Sequence, residues 1–459
     1  MITSLILTAG FFHLSSSELT TYSITDSGGA VPEGGSADWT GRLVDAWTKA
    51  CGSNSPATVA VPAGTFFVRH VVLVGPCRSS HISVNIAGTI VSPATYTSEE
   101  HWIVFMNVTG LTISGGVFDG RGQAVWNCKN GKRNCPNGAT IDVSSPFIAY
   151  NIEEHETHMG ALQTLPSLLS RHQISPNLVA EDGAEVVVAA ETEELIEAAE
   201  QQFFTMINKY LLSLAIMNSN NVRLNRVSSV NSEMFHILIY GSRDVLVAGA
   251  RISALDGSPN TDGIHIQESS GVTVLGSNIA TGDDCISIGP GSANVWIESI
   301  KCGPGHGISI GSLGSEKVQN GVRNVTAKHV EFFGTDNGFR IKTWAKPSDG
   351  FVEHVLFQNA TMNNVKNPII IDQRYCPQKN NCPTKSSGIQ ISDVVFRDVE
   401  GTSATEVAVE LYCSSSKPCR DVWLMNINLR SAGVSATMSC SNVNGGSHGV
   451  ISPPCCLAQ

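Results

Sequence analysis

The chain has 459 residues, 15% of them charged, with 43 glycines and a formal net charge of −11. That sign argues against a nucleic-acid partner, and no apolar run reaches the roughly 18 residues that a membrane-spanning helix needs. The charge is also local: residues 141–212 hold twelve Asp or Glu against two Lys or Arg, a net −10, so the rest of the chain is at about −1 and does not repel an acidic polymer.

In chain order, residues 1–20 read as a degraded signal segment, with an apolar run from Leu5 to Phe12 but no basic n-region. Residues 21–140 read as the N-terminal coils of a solenoid. Leu43 to Trp47 predicts an amphipathic helix that would cap the open sheet edge. Short strands follow at Thr58–Val61, Thr65–Val68, Val71–Val74, Ile82–Ile86, Thr89–Val91, Val104–Val108, Leu111–Ile113 and Val117–Asp119. Residues 141–212 break this rhythm. They hold no cysteine and little glycine, and Glu185 to Leu214 reads as helix. The block is an atypical acidic insertion, either a surface extension or sequence wrongly retained in the gene model. Its removal would join Thr140 to Ser213 and restore a strand directly. Residues 213–459 resume the solenoid and carry its catalytic and C-terminal coils.

Thirteen cysteines are too many for a cytosolic enzyme of this size. Their separations are not CxxC and the histidines lack zinc-finger spacing, so no metal and no cofactor are expected. Close pairs suggest disulfides in a secreted protein: Cys51/Cys77, Cys128/Cys135, Cys285/Cys302, Cys376/Cys382, Cys413/Cys419 and Cys440/Cys456, with Cys455 left over. Asn107, Asn324 and Asn359 begin glycan-acceptor triplets, which are common by chance.

The chemistry concentrates between Asn260 and Thr343. Four patterns occur there: Asn260-Thr261-Asp262-Gly263, Gly282-Asp283-Asp284-Cys285, Gly305-His306-Gly307 and Arg340-Ile341-Lys342. Each adjoins an apolar alternation such as Ile264-His265-Ile266 or Ile286-Ser287-Ile288. Asp262, Asp284 and His306 follow one another at intervals of 22 residues. One β-branched triplet per period is the mark of a coiled parallel β-solenoid. Equal phases then stack about 4.8 Å apart, which gathers carboxylates, imidazole and cations on one face.

In this order the patterns resemble those of the plant-type polygalacturonases, pectin-cleaving glycoside hydrolases. Gly115-Gly116-Val117-Phe118-Asp119-Gly120, Met234-Phe235-His236-Ile237 and Ile371-Asp372-Gln373-Arg374-Tyr375-Cys376 extend the resemblance over nearly the whole chain. It implies an all-β fold, a single right-handed parallel β-helix, and inverting hydrolysis of α-1,4-linked galacturonate without metal. It also implies Asp283 as the acid and Asp262 with Asp284 as the base pair. Asp26-Ser27-Gly28-Gly29-Ala30, the block 141–212 and Cys455 depart from the family pattern.

Glycosidic cleavage needs an acid for the leaving oxygen and a base for water. Three crowded carboxylates cannot all ionise easily, so one stays protonated. Adjacent Asp283 and Asp284 can share a face only at a strand end or bend. Arg340 and Lys342, two apart, share a strand face and suit a galacturonate carboxylate. His306 would hydrogen-bond the acid, Tyr375 would line the subsite and Asn260 would orient Asp262. His236 and His265 read as structural. The expected partner is an acidic polysaccharide, acted on by a monomer outside the cell. Competing readings are a calcium-dependent pectate lyase, a non-catalytic carbohydrate-binding solenoid and a hydrolase of branched pectin.

Overall fold

A computed structural model of the protein describes residues 20–26, 37–93, 101–131, 212–377, 382–431, 433 and 435–457. The expected signal segment up to residue 19, and the expected insertion except Leu212, lie outside the described residues. Within them the chain forms the expected parallel β-helix. Strands wind into an 11-stranded sheet and a 17-stranded sheet, and every recorded strand pairing is parallel.

The register is the one the 22-residue spacing requires. Ile264 pairs with Ile286, and Ile286 with Ile308. The next coil is longer, so Ile308 pairs with Phe339. Alternation sends Ile264, Ile266, Ile286, Ile288, Ile308 and Ile310 into the core, where all are 0% exposed. Each such side chain contributes about 1.5–3 kcal/mol by burial. Further along, Phe339, Phe357 and Phe396 stack in successive coils at centroid spacings of 4.5 and 5.3 Å.

The strands of the larger sheet run longer than their sequence suggests. Ile82–Ile86 and Thr89–Val91 are one strand, Ile82–Val91, and Leu111–Ile113 and Val117–Asp119 lie within Thr109–Asp119. Bends replace the expected breaks. A column of left-handed residues runs up this sheet, Asn221, Asp244, Gly271, Asn294, Asn324, His354, Asp393 and Asp421, all at positive φ. Asn, Asp and Gly tolerate that conformation best, and Asn324 Nδ2 donates to Asn294 Oδ1 at 2.6 Å along the column.

Helix α1 (Thr40–Cys51) buries Leu43, Ala46, Trp47 and Ala50, one helical face. Trp47 donates from Nε1 to the Val74 carbonyl at 3.2 Å and meets Phe105 edge-on. This is the expected N-terminal cap. Helix α2 (Gln123–Gly131) was not expected. It buries Val125 and Trp126, and Trp126 Nε1 donates to the Ser232 carbonyl at 3.0 Å. The expected helix ending at Leu214 overruns its limit: Leu214 opens the strand Leu214–Met217, because its register with Ile103 and Ile237 outweighs local propensity.

Five expected disulfides close: Cys51–Cys77, Cys285–Cys302, Cys376–Cys382, Cys413–Cys419 and Cys440–Cys456. Cys128 is also disulfide-bonded, while Cys135 lies outside the described residues. Cys455 is free.

Candidate active site

On the outer face of the 11-stranded sheet, His265, Ser287, Ser309 and Arg340 form one row, paired in register. The strands Ile264–Gln267, Ile286–Ile288 and Ile308–Leu313 enter this row from bends that carry Asp262, Asp283, Asp284 and His306. Asp283 and Asp284 therefore escape strand alternation and reach the same site. Gly282 lets the bend pass close to Ser258, whose backbone a β-carbon there would strike.

Each serine in the row donates to the aspartate of the preceding coil. Ser287 Oγ reaches Asp262 Oδ2 at 2.6 Å, and Ser309 Oγ reaches Asp284 Oδ1 at 2.8 Å. Asp284 also accepts from Arg340 Nη2 on Oδ1 at 2.5 Å and from Lys342 Nζ on Oδ2 at 2.7 Å. Arg340 Nε donates to Ser309 Oγ at 2.9 Å. His306 Nδ1 lies 2.9 Å from Asp283 Oδ1, and its Nε2 lies 3.7 Å from Asp336 Oδ2. The Tyr375 ring stands 5.2 Å from Lys342 Nζ and 5.9 Å from the Arg340 guanidinium carbon.

Asn260 holds a left-handed φ of 60° and accepts from Lys129 Nζ of α2 at 3.4 Å. The hydrogen bond that fixes Asp262 comes from Ser287. His265 supports that serine: its Nδ1 lies 2.7 Å from Ser287 Oγ and its Nε2 3.1 Å from Gln267 Oε1, and it stacks on Phe235. Burial pushes the His265 imidazole down to about 4, and the His236 imidazole, hydrogen-bonded to Ser229, down to about 3. Both are neutral. Sequence reasoning missed Ser287, Ser309 and Lys129. The serines had a signal, since each lies 25 residues after its aspartate. Lys129 had none, because α2 was not foreseen.

The three carboxyls differ in charge. Burial raises Asp262, and the neighbouring Asp283 and Asp284 raise it further, well above the usual range. Burial also pushes on Asp284, but Arg340 and Lys342 outweigh it and hold the group ionised. At Asp283 the His306 hydrogen bond and charge outweigh burial, and the carboxyl falls well below the usual range. Burial pulls His306 down, yet Asp283 more than compensates and raises it. These directions favour a proton on Asp262 and on His306 over one on Asp283, the expected acid. Access differs too. The Asp284 side chain is 0% exposed, whereas Asp283 is 19% and His306 35% exposed.

One ligand atom each from Asp283, Asp284 and His306 fall within 4.8 Å of one another, close enough for a cation. A cation there would compete with the donors already on Asp284, Ser309 and Arg340 on Oδ1 or Lys342 on Oδ2. The arrangement offers an accessible carboxyl beside an imidazole, two buried carboxyls and two cations, groups of the kind that can protonate a leaving oxygen and activate a water.

A model of the glycosyl hydrolases family 28 matches residues 51–163 and 207–456. A polygalacturonase of Prunus persica is 43% identical over 442 residues, spanning 95% of this chain and 93% of that one. An exopolygalacturonase of Platanus acerifolia is 35% identical over 414 residues, spanning 89% and 91%. Among solved structures, a hyperthermoactive exopolygalacturonase from Thermotoga maritima superposes with a TM-score of 0.64 over 94% of this chain and 90% of that one, at 19% identity, a likeness of fold.

Proposed function

Because the chain belongs to the glycosyl hydrolases family 28, we propose that it hydrolyses the α-1,4-galacturonosyl linkages of pectin, with Asp283 as the acid and Asp262 with Asp284 as the base pair. The observation that carries the assignment is access: among the three carboxyls, Asp283 is the most exposed, at 19%, and its Oδ1 lies 2.9 Å from His306 Nδ1. A bound sugar covers the cleft and excludes water, which raises a carboxyl. The His306 proton then passes along the 2.9 Å hydrogen bond to Asp283 and on to the leaving oxygen. Asp284, held ionised, takes the proton of the attacking water. Asp262, the other member of the pair, helps to position that water.

We favour inversion. The nearest oxygens of Asp283 and Asp284 lie within 4.8 Å, less than the roughly 6.5–9.5 Å usual for inverting pairs. Both Asp284 oxygens are engaged by Ser309, Arg340 and Lys342. Oδ2 accepts from Lys342 alone and keeps a lone pair for the proton of water, and inversion is retained as what the resemblance to the family implies. Arg340 and Lys342 face the carboxylate of the sugar with their remaining donors, and Tyr375 lines the same subsite. The disulfides fit an oxidising compartment, and we assign the enzyme to the cell exterior as a monomer.

Reducing-end release from de-esterified polygalacturonate tests this reading. Asp283→Asn should lower the rate at least about 100-fold with the fold intact. Retention of most of the activity would move the acid elsewhere, and an unsaturated product from wild type would make the enzyme a lyase.

A further inference from the structure

Helix α2 brings a cation to the cleft from the side opposite Arg340 and Lys342. Its anchors belong to the coil that enters the strand Ile237–Tyr240: Gly122 N donates to the Asn231 carbonyl at 2.8 Å, and Trp126 Nε1 donates to the Ser232 carbonyl at 3.0 Å. Cys128, next to Lys129, is disulfide-bonded. Lys129 is thus held by its helix rather than free to sweep the surface. Its Nζ donates to Asn260 Oδ1 at 3.4 Å, a long bond that a carboxylate would readily displace. Burial lowers the ammonium to about 8, while Asp283, Glu233 and Asp262 pull it upward, so it is charged in acid and neutral solution.

The order of coils gives this placement a meaning. Asn260 precedes the strand Ile264–Gln267, one coil before that of Asp284. Arg340 and Lys342 lie in the strand Asn337–Trp344, two coils after it. A galacturonate chain carries one carboxylate per sugar, so the two units joined at the scissile bond carry two. We propose that Lys129 binds the carboxylate of the sugar on the far side of the scissile bond from the sugar held by Arg340 and Lys342. Two cationic sites then bracket Asp283 and set the glycosidic oxygen over it. This inference rests on the hydrolase reading above.

The test compares Lys129→Met with wild type on de-esterified and on methyl-esterified oligogalacturonate. A lost charge-assisted hydrogen bond predicts a 10- to 150-fold fall in kcat/KM on the de-esterified substrate, carried mainly by KM. The fall on the methyl ester should be much smaller, Lys129→Arg should recover most of the loss, and Tm should not change. Lys129→Gln serves the same comparison if the Met variant does not fold. Equal losses on both substrates would make Lys129 a counter-charge for the aspartates, and no loss would remove it from the cleft; either overturns the inference. Both outcomes require active wild type, so they are distinct from failure of the hydrolase reading, in which wild type itself releases no reducing ends.

Discussion

Asp284 is surrounded by donors before any substrate arrives: Ser309, Arg340 and Lys342 all point at it, and its side chain is 0% exposed. Removing one cation from such a cluster leaves buried charge uncompensated. Lys342→Ala should therefore lower kcat/KM on de-esterified polymer by roughly 10- to 150-fold, and unchanged kinetics would remove Lys342 from the site. On the proposed mechanism the Asp283–His306 pair governs pH dependence. His306 is raised, so its contribution to stability is complete below the ordinary value near 6.5 and is lost as pH rises through the raised one. Asp283 is lowered, so its contribution is present above the ordinary value near 3.8 and is lost as pH falls through the lowered one. The pair stabilises the fold most between about 4 and 6.5, and activity should decline on the alkaline side above that window. His306→Asn should move this decline, as a pH series of kcat/KM would record; an unmoved decline would separate His306 from the acid. Asp262, Asp284 and His306 were legible through their 22-residue spacing, and Asp283, Arg340 and Lys342 through the resemblance to the family. Which carboxyl keeps a proton was not, because that depends on burial and on a histidine a coil away. Ser287 and Ser309 were overlooked because a serine inside an apolar triplet reads as ordinary strand.

The elements that aim these groups are bends pinned by glycine and cystine. Gly307 has φ of +89°, and a β-carbon there would strike the carbonyl oxygens of Asn337 and Gly338. Asn337 also donates to the His306 carbonyl at 3.0 Å. Gly307→Ala should cost about 1–3 kcal/mol and displace His306, so Tm and kcat should fall together; a fully active variant would show that the bend can adjust. Cys285 follows Asp284 directly and bonds Cys302 across 17 residues. Replacing both by serine removes a loop constraint of about 3 kcal/mol, visible as a lower Tm with non-reduced protein as the reference. The strands around these bends were largely legible, since β-branched alternation and a fixed period specify them. Their continuity through the left-handed column was not, because Asn, Asp and Gly read locally as the end of a strand. Helix α2 was missed for a related reason: Gln123–Gly131 is short, and contacts distant in sequence, such as the packing of Val125 and Trp126 against the coil, hold it.

At the scale of the molecule the solenoid is a stack in which each coil contacts its neighbours, so an extra segment between coils can leave the stack intact. The family match omits residues 164–206, an interval inside the acidic block 141–212. Leu212, expected as the last residue of the block, belongs instead to the solenoid: it is buried in the core and its carbonyl accepts from Trp102 N at 2.9 Å. We propose that the rest of the block is no part of the solenoid. A variant joining Thr140 directly to Leu212 should fold, with melting temperature and polygalacturonate hydrolysis close to those of the full chain; failure of that variant to fold would make the block part of the core. The stack holds the Asp283–His306 pair beside Asp284, and the proposed mechanism, with water as the nucleophile, inverts the anomeric carbon. The direct measurement is proton NMR of the product during the first turnovers on de-esterified oligogalacturonate, before mutarotation. The β-anomer of the new reducing end should form first. Initial formation of the α-anomer would mean a covalent intermediate on one of these aspartates and would contradict the account.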